Sequence, residues 1–181
     1  MSSTIEYNRI AFKGNHNGKE KYVLAVRAGC SNVYETGTGL RAKDWHLMAF
    51  GSLGDIWKRI GEMAGHTEGG MLQRNVGWNE SRSFTIEEYV KLYRSKIKNA
   101  KPMERILNDF NITCSLYFKE DAPEDEIISK YNFKYQGKHF LHEDKVEYTK
   151  TMDTLEEFLT LLDLKKNYSM RFDLHPLKKR L

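Results

Sequence analysis

Cysteine is nearly absent from this chain. Its 181 residues include two, Cys30 and Cys114, far apart and outside any CxxC pair. A disulfide framework is excluded, and zinc and thiol-redox motifs have no support. Two reduced thiols in a cytoplasmic protein is the reading that fits. Proline is scarce as well, with three residues and no low-complexity tract, which argues against long disordered segments. No apolar run approaches the roughly 20 residues of a membrane-spanning helix. The opening residues, MSSTIEYNRIAFKG, lack the basic start and apolar core of a signal peptide. Neither sign of charge dominates, with 29 Lys and Arg against 25 Asp and Glu.

Signatures of chemistry are missing too. No Gly-Lys-Ser/Thr follows the glycines, so there is no P-loop, and no serine or cysteine stands in a G-x-S-x-G context. Gly37-Thr38-Gly39-Leu40-Arg41-Ala42 matches G-x-G-x-x-A, but Lys43 to Phe50 reads as a strand. A dinucleotide site needs a helix there, so a hairpin turn explains the match. His139 and His142 would point to opposite faces of a strand. Glu62 and His66 are separated by Gly65, which should end their helix, and Asp44 and His46 alternate across a strand. No cofactor and no metal site are expected from these patterns.

What is present is an uneven distribution of glycine and tryptophan. Ten of the 13 glycines and all three tryptophans fall between Gly29 and Trp78. Glycine permits close backbone approach or positive φ, and tryptophan offers a large amphipathic contact surface.

Periodicity predicts an α+β domain over residues 1–181, with a mixed or antiparallel sheet and about four to five helices. A division into lobes 1–82 and 83–181 is natural. Strands are expected near 5–12, 20–28, 31–36, 43–50, 112–118, 133–141, 145–151 and 168–174. The run Tyr22 to Val26 is apolar on both faces, as in a central strand. Gly14-Asn15-His16-Asn17-Gly18 marks a turn. Helices are expected from Ser52 with Asp55 as a near capping box, from Thr85 with Glu88, from Pro102, from Pro123, and from Asp153 with Glu156. The last shows apolar residues on two sides, which would suit a homodimer contact. Elements follow no regular βαβ rhythm, so a doubly wound fold does not fit.

Three functional readings emerge. In the first, the chain is a non-catalytic binding protein, a stoichiometric partner or inhibitor of another protein or a nucleoprotein complex. On the Ser52 helix, Gly54, Gly61 and Gly65 fall within about 40° of one another and about 130° from the Ile56/Ile60/Met63 face. Trp57 and Lys58 flank that strip. Interior glycines cost up to about 1 kcal/mol each relative to alanine, so something should offset them. Either another backbone packs closely there, or the helix ends before Gly61, or a partner docks, through Gly54, Trp57, Lys58, Arg59 and Gly61 with Arg41, Trp45 and His46 alongside. Compact proteins without catalytic motifs are frequent among phage and mobile-element regulators, which is a general prior. In the second reading, Lys91, Arg94, Lys98 and Lys101 with the tail cations Lys178, Lys179 and Arg180 follow a nucleic-acid backbone. In the third, a small enzyme draws on His46, His66 or His139 with nearby carboxylates.

Overall fold

A computed structural model describes residues 9–27, 45–64, 86–120, 125–139 and 144–177. The expected strands at 5–8 and 31–36, the Thr85 cap and Pro123 lie outside them. The architecture is α+β. One eight-stranded mixed sheet runs in the order β4-β1-β2-β3-β8-β5-β7-β6. It takes strands from both halves of the sequence. Only the β1–β4 pair is parallel among the pairings described.

Strands β1 (Arg9–His16) and β2 (Lys19–Arg27) form a hairpin with His16 opposite Lys19. The turn is shorter than the five-residue signal implies. Asn17 and Gly18 alone carry positive φ, 53° and 75°, as a two-residue hairpin with the native twist requires. Gly14 instead stays in the ladder opposite Lys21. A Cβ there would sit 2.6 Å from the Met103 Cβ, so this glycine is needed for close packing.

β3 (Trp45–Gly51) follows and leads into α1 (Leu53–Ala64). The cap read from the sequence forms. The Asp55 amide donates to Ser52 Oγ at 3.3 Å, and the Ser52 amide donates to Asp55 Oδ2 at 3.0 Å. α2 (Ile86–Lys98) is followed by the two-residue edge strand β4 (Lys101–Pro102). Pro102 therefore ends a strand; its ψ of 136° precedes a 3-10 turn, Met103–Arg105, and the short α3 (Ile106–Asp109). β5 (Phe110–Lys119) buries Ile112, Cys114 and Leu116 on one side, as its alternation predicts. α4 (Glu126–Lys130), β6 (Lys134–Lys138), β7 (Lys145–Thr151), α5 (Leu155–Leu164), a 3-10 turn at Lys165–Asn167 and β8 (Ser169–Pro176) complete the chain. No helix among the described residues is long and apolar enough to cross a membrane.

Two apolar clusters cover the two faces. The larger joins Phe12, Val23, Ala25 and Leu47 to Ile112, Leu116, Phe172 and Leu174, under Phe158, Leu159, Leu161 and Leu162 of α5. Burial of Leu161 within it accounts for the second apolar side of that helix. The smaller holds Tyr22, Leu24, Val26 and Met48 against Ile56 and Ile60 of α1 and Tyr93 of α2. β2 is thus packed on both faces, as its unbroken apolar run implies. Fully buried Arg9 ties this side together: its Nε donates to Tyr93 Oη at 2.9 Å.

The cap of α5 differs from expectation by one residue. Thr154, not Asp153, is the N-cap, and its Oγ1 accepts from the Glu157 amide at 3.1 Å. The pairs Asp153/Glu156 and Thr154/Glu157 are spaced alike. Glu157 also meets the Lys150 ammonium at 3.3 Å, which favours the observed register. Thr154→Ala is expected to lower stability by about 1 kcal/mol, and Asp153→Ala by little. Urea denaturation of both variants checks this; equal losses would refute the assignment.

Candidate functional site

The sheet has a joint at its centre. Among the described residues, β3 pairs with β8 only through Trp45 opposite Leu174 and His46 opposite Asp173. Beyond His46 no further rung forms. β3 also carries a register shift against β2 between Leu24 and Ala25, which places Met48 as an extra residue and bends the strand. The two strands part there, and a cleft of about 390 Å³ opens beside β3.

Cations from three elements reach this cleft: Lys21 of β2, Arg59 of α1, and Lys165 and Lys166 after α5. Asp55 and Asp163 also line it. Both carboxylates are already engaged. Asp55 accepts from the amide and hydroxyl of Ser52, which hold its pKa below the usual value. Asp163 Oδ2 meets His16 Nε2. Arg59 sends Nε to the Met48 carbonyl at 3.4 Å, a group that the short joint leaves without a β8 partner, and Nη1 to Glu62 at 3.4 Å. Lys165 makes no ion pair among the described residues. Burial, and then the nearby Arg59 charge, hold its pKa below the usual lysine value.

On the opposite face from Trp45, a polar group surrounds the joint. Arg171 directs both Nε and Nη2 to Asp173 Oδ2 at 3.1 Å, and Thr113 Oγ1 lies 3.2 Å from His175 Nε2. His46 belongs to this group. Its Nδ1 is buried without a hydrogen-bond partner among the described residues. Desolvation, then the positive charges of Arg171, Lys165 and Arg59, press its pKa down to about 4. Cys114 lies on the other face, and burial pushes its thiol up to about 12. A neutral imidazole and a protonated thiol are the forms these two groups hold at pH 7. Among the described residues no group of three His, Cys, Asp or Glu could hold a metal ion.

The residues chosen from sequence separate into distinct places. Gly54, Lys58, Arg59 and Gly61 are exposed on α1. A Cβ at Gly61 would meet nothing within 4 Å, and one at Gly54 only Ser52 Oγ at 3.8 Å. The close-packing explanation for the strip thus finds no backbone among the described residues. Trp57 is half-buried against the smaller core. Trp45 packs on the larger core, edge-on to Phe110 at 6.2 Å, with the Arg27 guanidinium 5.6 Å from its ring centroid. Trp45 and His46, adjacent in sequence, therefore serve opposite faces. Lys91, Arg94, Lys98 and Lys101 are all exposed. The His139 ring meets Tyr117 edge-on at 5.0 Å. Arg41, Gly65, His66, His142, Lys178, Lys179 and Arg180 lie outside the described residues, as does the side chain of Met63.

Sequence reasoning missed the cleft. Lys21 closes a short polar run, Lys19-Glu20-Lys21, ahead of the apolar Tyr22–Val26, and Lys165 and Lys166 read as part of a solvated basic run. Neither pattern signals convergence on Arg59. Asp173 alternates with apolar neighbours as a solvent-facing residue would, yet it is 5% exposed.

His46 makes stability depend on pH. Its folded pKa, about 4, lies below its ordinary 6.5. The unfolded chain therefore binds a proton first as pH falls. The stabilisation is complete above pH 6.5 and is lost between 6.5 and 4. About 1–2 kcal/mol should disappear between pH 7 and pH 5, since each tenfold difference in proton affinity is worth about 1.4 kcal/mol. Urea titrations at both pH values should show a smaller loss for His46→Leu than for the wild type; identical losses would reject this account. No protein-family model, curated protein or solved structure matches this chain.

Proposed function

We propose that this chain is a non-catalytic binding protein that docks onto an acidic surface of another protein, or of a nucleoprotein complex, through the exposed face of α1. One observation carries the reading. Gly61 stands at an interior position of a well-capped helix, exposed, with no described neighbour that a side chain would disturb. Exposed glycine there costs about 0.5–1 kcal/mol relative to alanine, with no packing gain among the described residues to offset it. A partner whose surface approaches the helix backbone supplies the missing gain. Lys58, exposed beside Gly54 and Gly61, supplies charge for a complementary acidic surface, and exposed Arg59 adds to it from the other side of the helix. Trp57 contributes as a half-buried rim, not as a free anchor.

The basic face of α2 supports a second reading, direct nucleic-acid binding, because Lys91, Arg94 and Lys98 are all exposed along one helix, with Lys101 just beyond it.

Gly61 separates stability from binding. Gly61→Ala should raise stability by about 0.5–1 kcal/mol in denaturant titration. Gly61→Arg combined with Lys58→Glu should keep the fold and lose at least tenfold in partner capture from extracts of the native host. Nuclease treatment before capture distinguishes the two readings. Capture that survives nuclease but not the double substitution supports docking through α1. Capture unaffected by the double substitution rules this surface out, and capture abolished by nuclease favours the nucleic-acid reading.

A further inference from the structure

We propose that the cleft beside the β3–β8 joint is a binding site for a small phosphorylated organic molecule. Its position differs from the docking face of α1, with which it shares only Arg59.

The first ground is charge. Lys21, Arg59, Lys165 and Lys166 converge on one cavity that also holds Asp55 and Asp163. Four cations less two carboxylates leave a formal charge of +2 on its walls. A phosphate ester of about −1.5 to −2 at neutral pH matches that surplus. Ser52 and His16 hold the two carboxylates in place, and their charges are already counted in that surplus.

The second ground is Lys165. It is half-buried, borders the cavity, and has no ion-pair partner among the described residues. Arg59 is close enough to repel it. Buried charges are normally paired, because desolvation of an ammonium is costly. A bound phosphate would lie against both cations, reversing the repulsion into attraction. The planar fork of Arg59 suits phosphate oxygens, and lysine binds them as a point charge.

The third ground is shape. Leu47, Phe50 and Leu162 give the cavity an apolar wall, which would cover the organic part of such a molecule. A volume of about 390 Å³ falls within the 300–1,000 Å³ typical of small-molecule sites. The N-terminus of α1 is nearby, but Asp55 already occupies it, so side-chain cations and not the helix end define the site.

Phenyl phosphate is the probe, titrated calorimetrically into the full chain at low ionic strength, with sodium chloride matched for ionic strength as the reference. Saturable binding is expected, several-fold tighter than for inorganic phosphate because of the apolar wall. Lys165→Met should weaken it at least tenfold, while Lys98→Met on the exposed face of α2 should leave it unchanged. Lys165→Met should also be at least as stable as the wild type without anion, since it removes a half-buried charge with no ion-pair partner among the described residues. If that variant does not fold, Lys166→Gln carries the same test, with a several-fold weakening expected. No saturable binding beyond the chloride reference, or equal binding by wild type and Lys165→Met, would overturn the proposal. Lys165 is not on the docking face, so this site and the docking reading fail separately.

Discussion

Everything in this fold depends on the short joint between β3 and β8. Among the described residues two pairs, Trp45 with Leu174 and His46 with Asp173, make one sheet out of two sets of strands. A net 0.5–1.5 kcal/mol per hydrogen bond means that so short a ladder contributes little by itself. Packing across it contributes more. Leu47 from one side and Phe172, Leu174 and Leu116 from the other belong to one apolar cluster beneath α5. Each such side chain gains about 1.5–3 kcal/mol on full burial. The joint is held mainly by its apolar face, and the strands are free to part where that face does not require them together.

The two faces then impose different chemistry. Helices α1 and α2 pack over the β1–β3 part of the sheet, where Leu24, Val26 and Met48 meet Ile56, Ile60 and Tyr93. Over β8 and β5 the same face is polar, with Thr113, Ser115, Arg171, Asp173 and His175. His46 sits at the change from one to the other, opposite Val26 on one strand and Asp173 on the next. Its depressed pKa follows from that position: desolvation acts on a ring whose Nδ1 is buried, with Arg171, Lys165 and Arg59 contributing positive charge. The bulge at Met48 has the complementary effect, leaving a carbonyl for the Arg59 guanidinium and a cleft for the lysines.

Local features were legible in the sequence because they are decided locally. Asn17-Gly18 specifies its turn, Ser52 and Asp55 their cap, and Ile112-Cys114-Leu116 their inward face, each through neighbours within a few residues. The exposed places of Lys58 and Gly61 follow from helical spacing once Ile56 and Ile60 are inward. Trp57 was harder: it lies about 60° from Ile60 around the helix, near enough to be drawn partly into the core. The joint and its cleft were not legible, since β3 meets β8 across more than a hundred intervening residues. Pairing at that distance is chosen by the whole core, and no pattern near Lys21 or Lys165 encodes it.

Burial also separates the groups suited to proton chemistry from those suited to holding charge. His46 is pressed to about 4 and Cys114 raised to about 12, so each lies far from the pH at which it would exchange a proton readily. Asp173 shares its Oδ2 with two nitrogens of Arg171, which favours a fixed carboxylate. What the site offers near neutrality is positive charge held by rigid neighbours: Arg59 on a capped helix, Lys21 in the middle of a hairpin ladder, and Lys165 at the end of a helix anchored by four buried side chains. An arrangement of that kind gains by receiving an anion and loses little by having no base. Arg59 lies about 140–160° around α1 from Gly54 and Gly61, so the charge it gives the cleft is turned away from the glycine face.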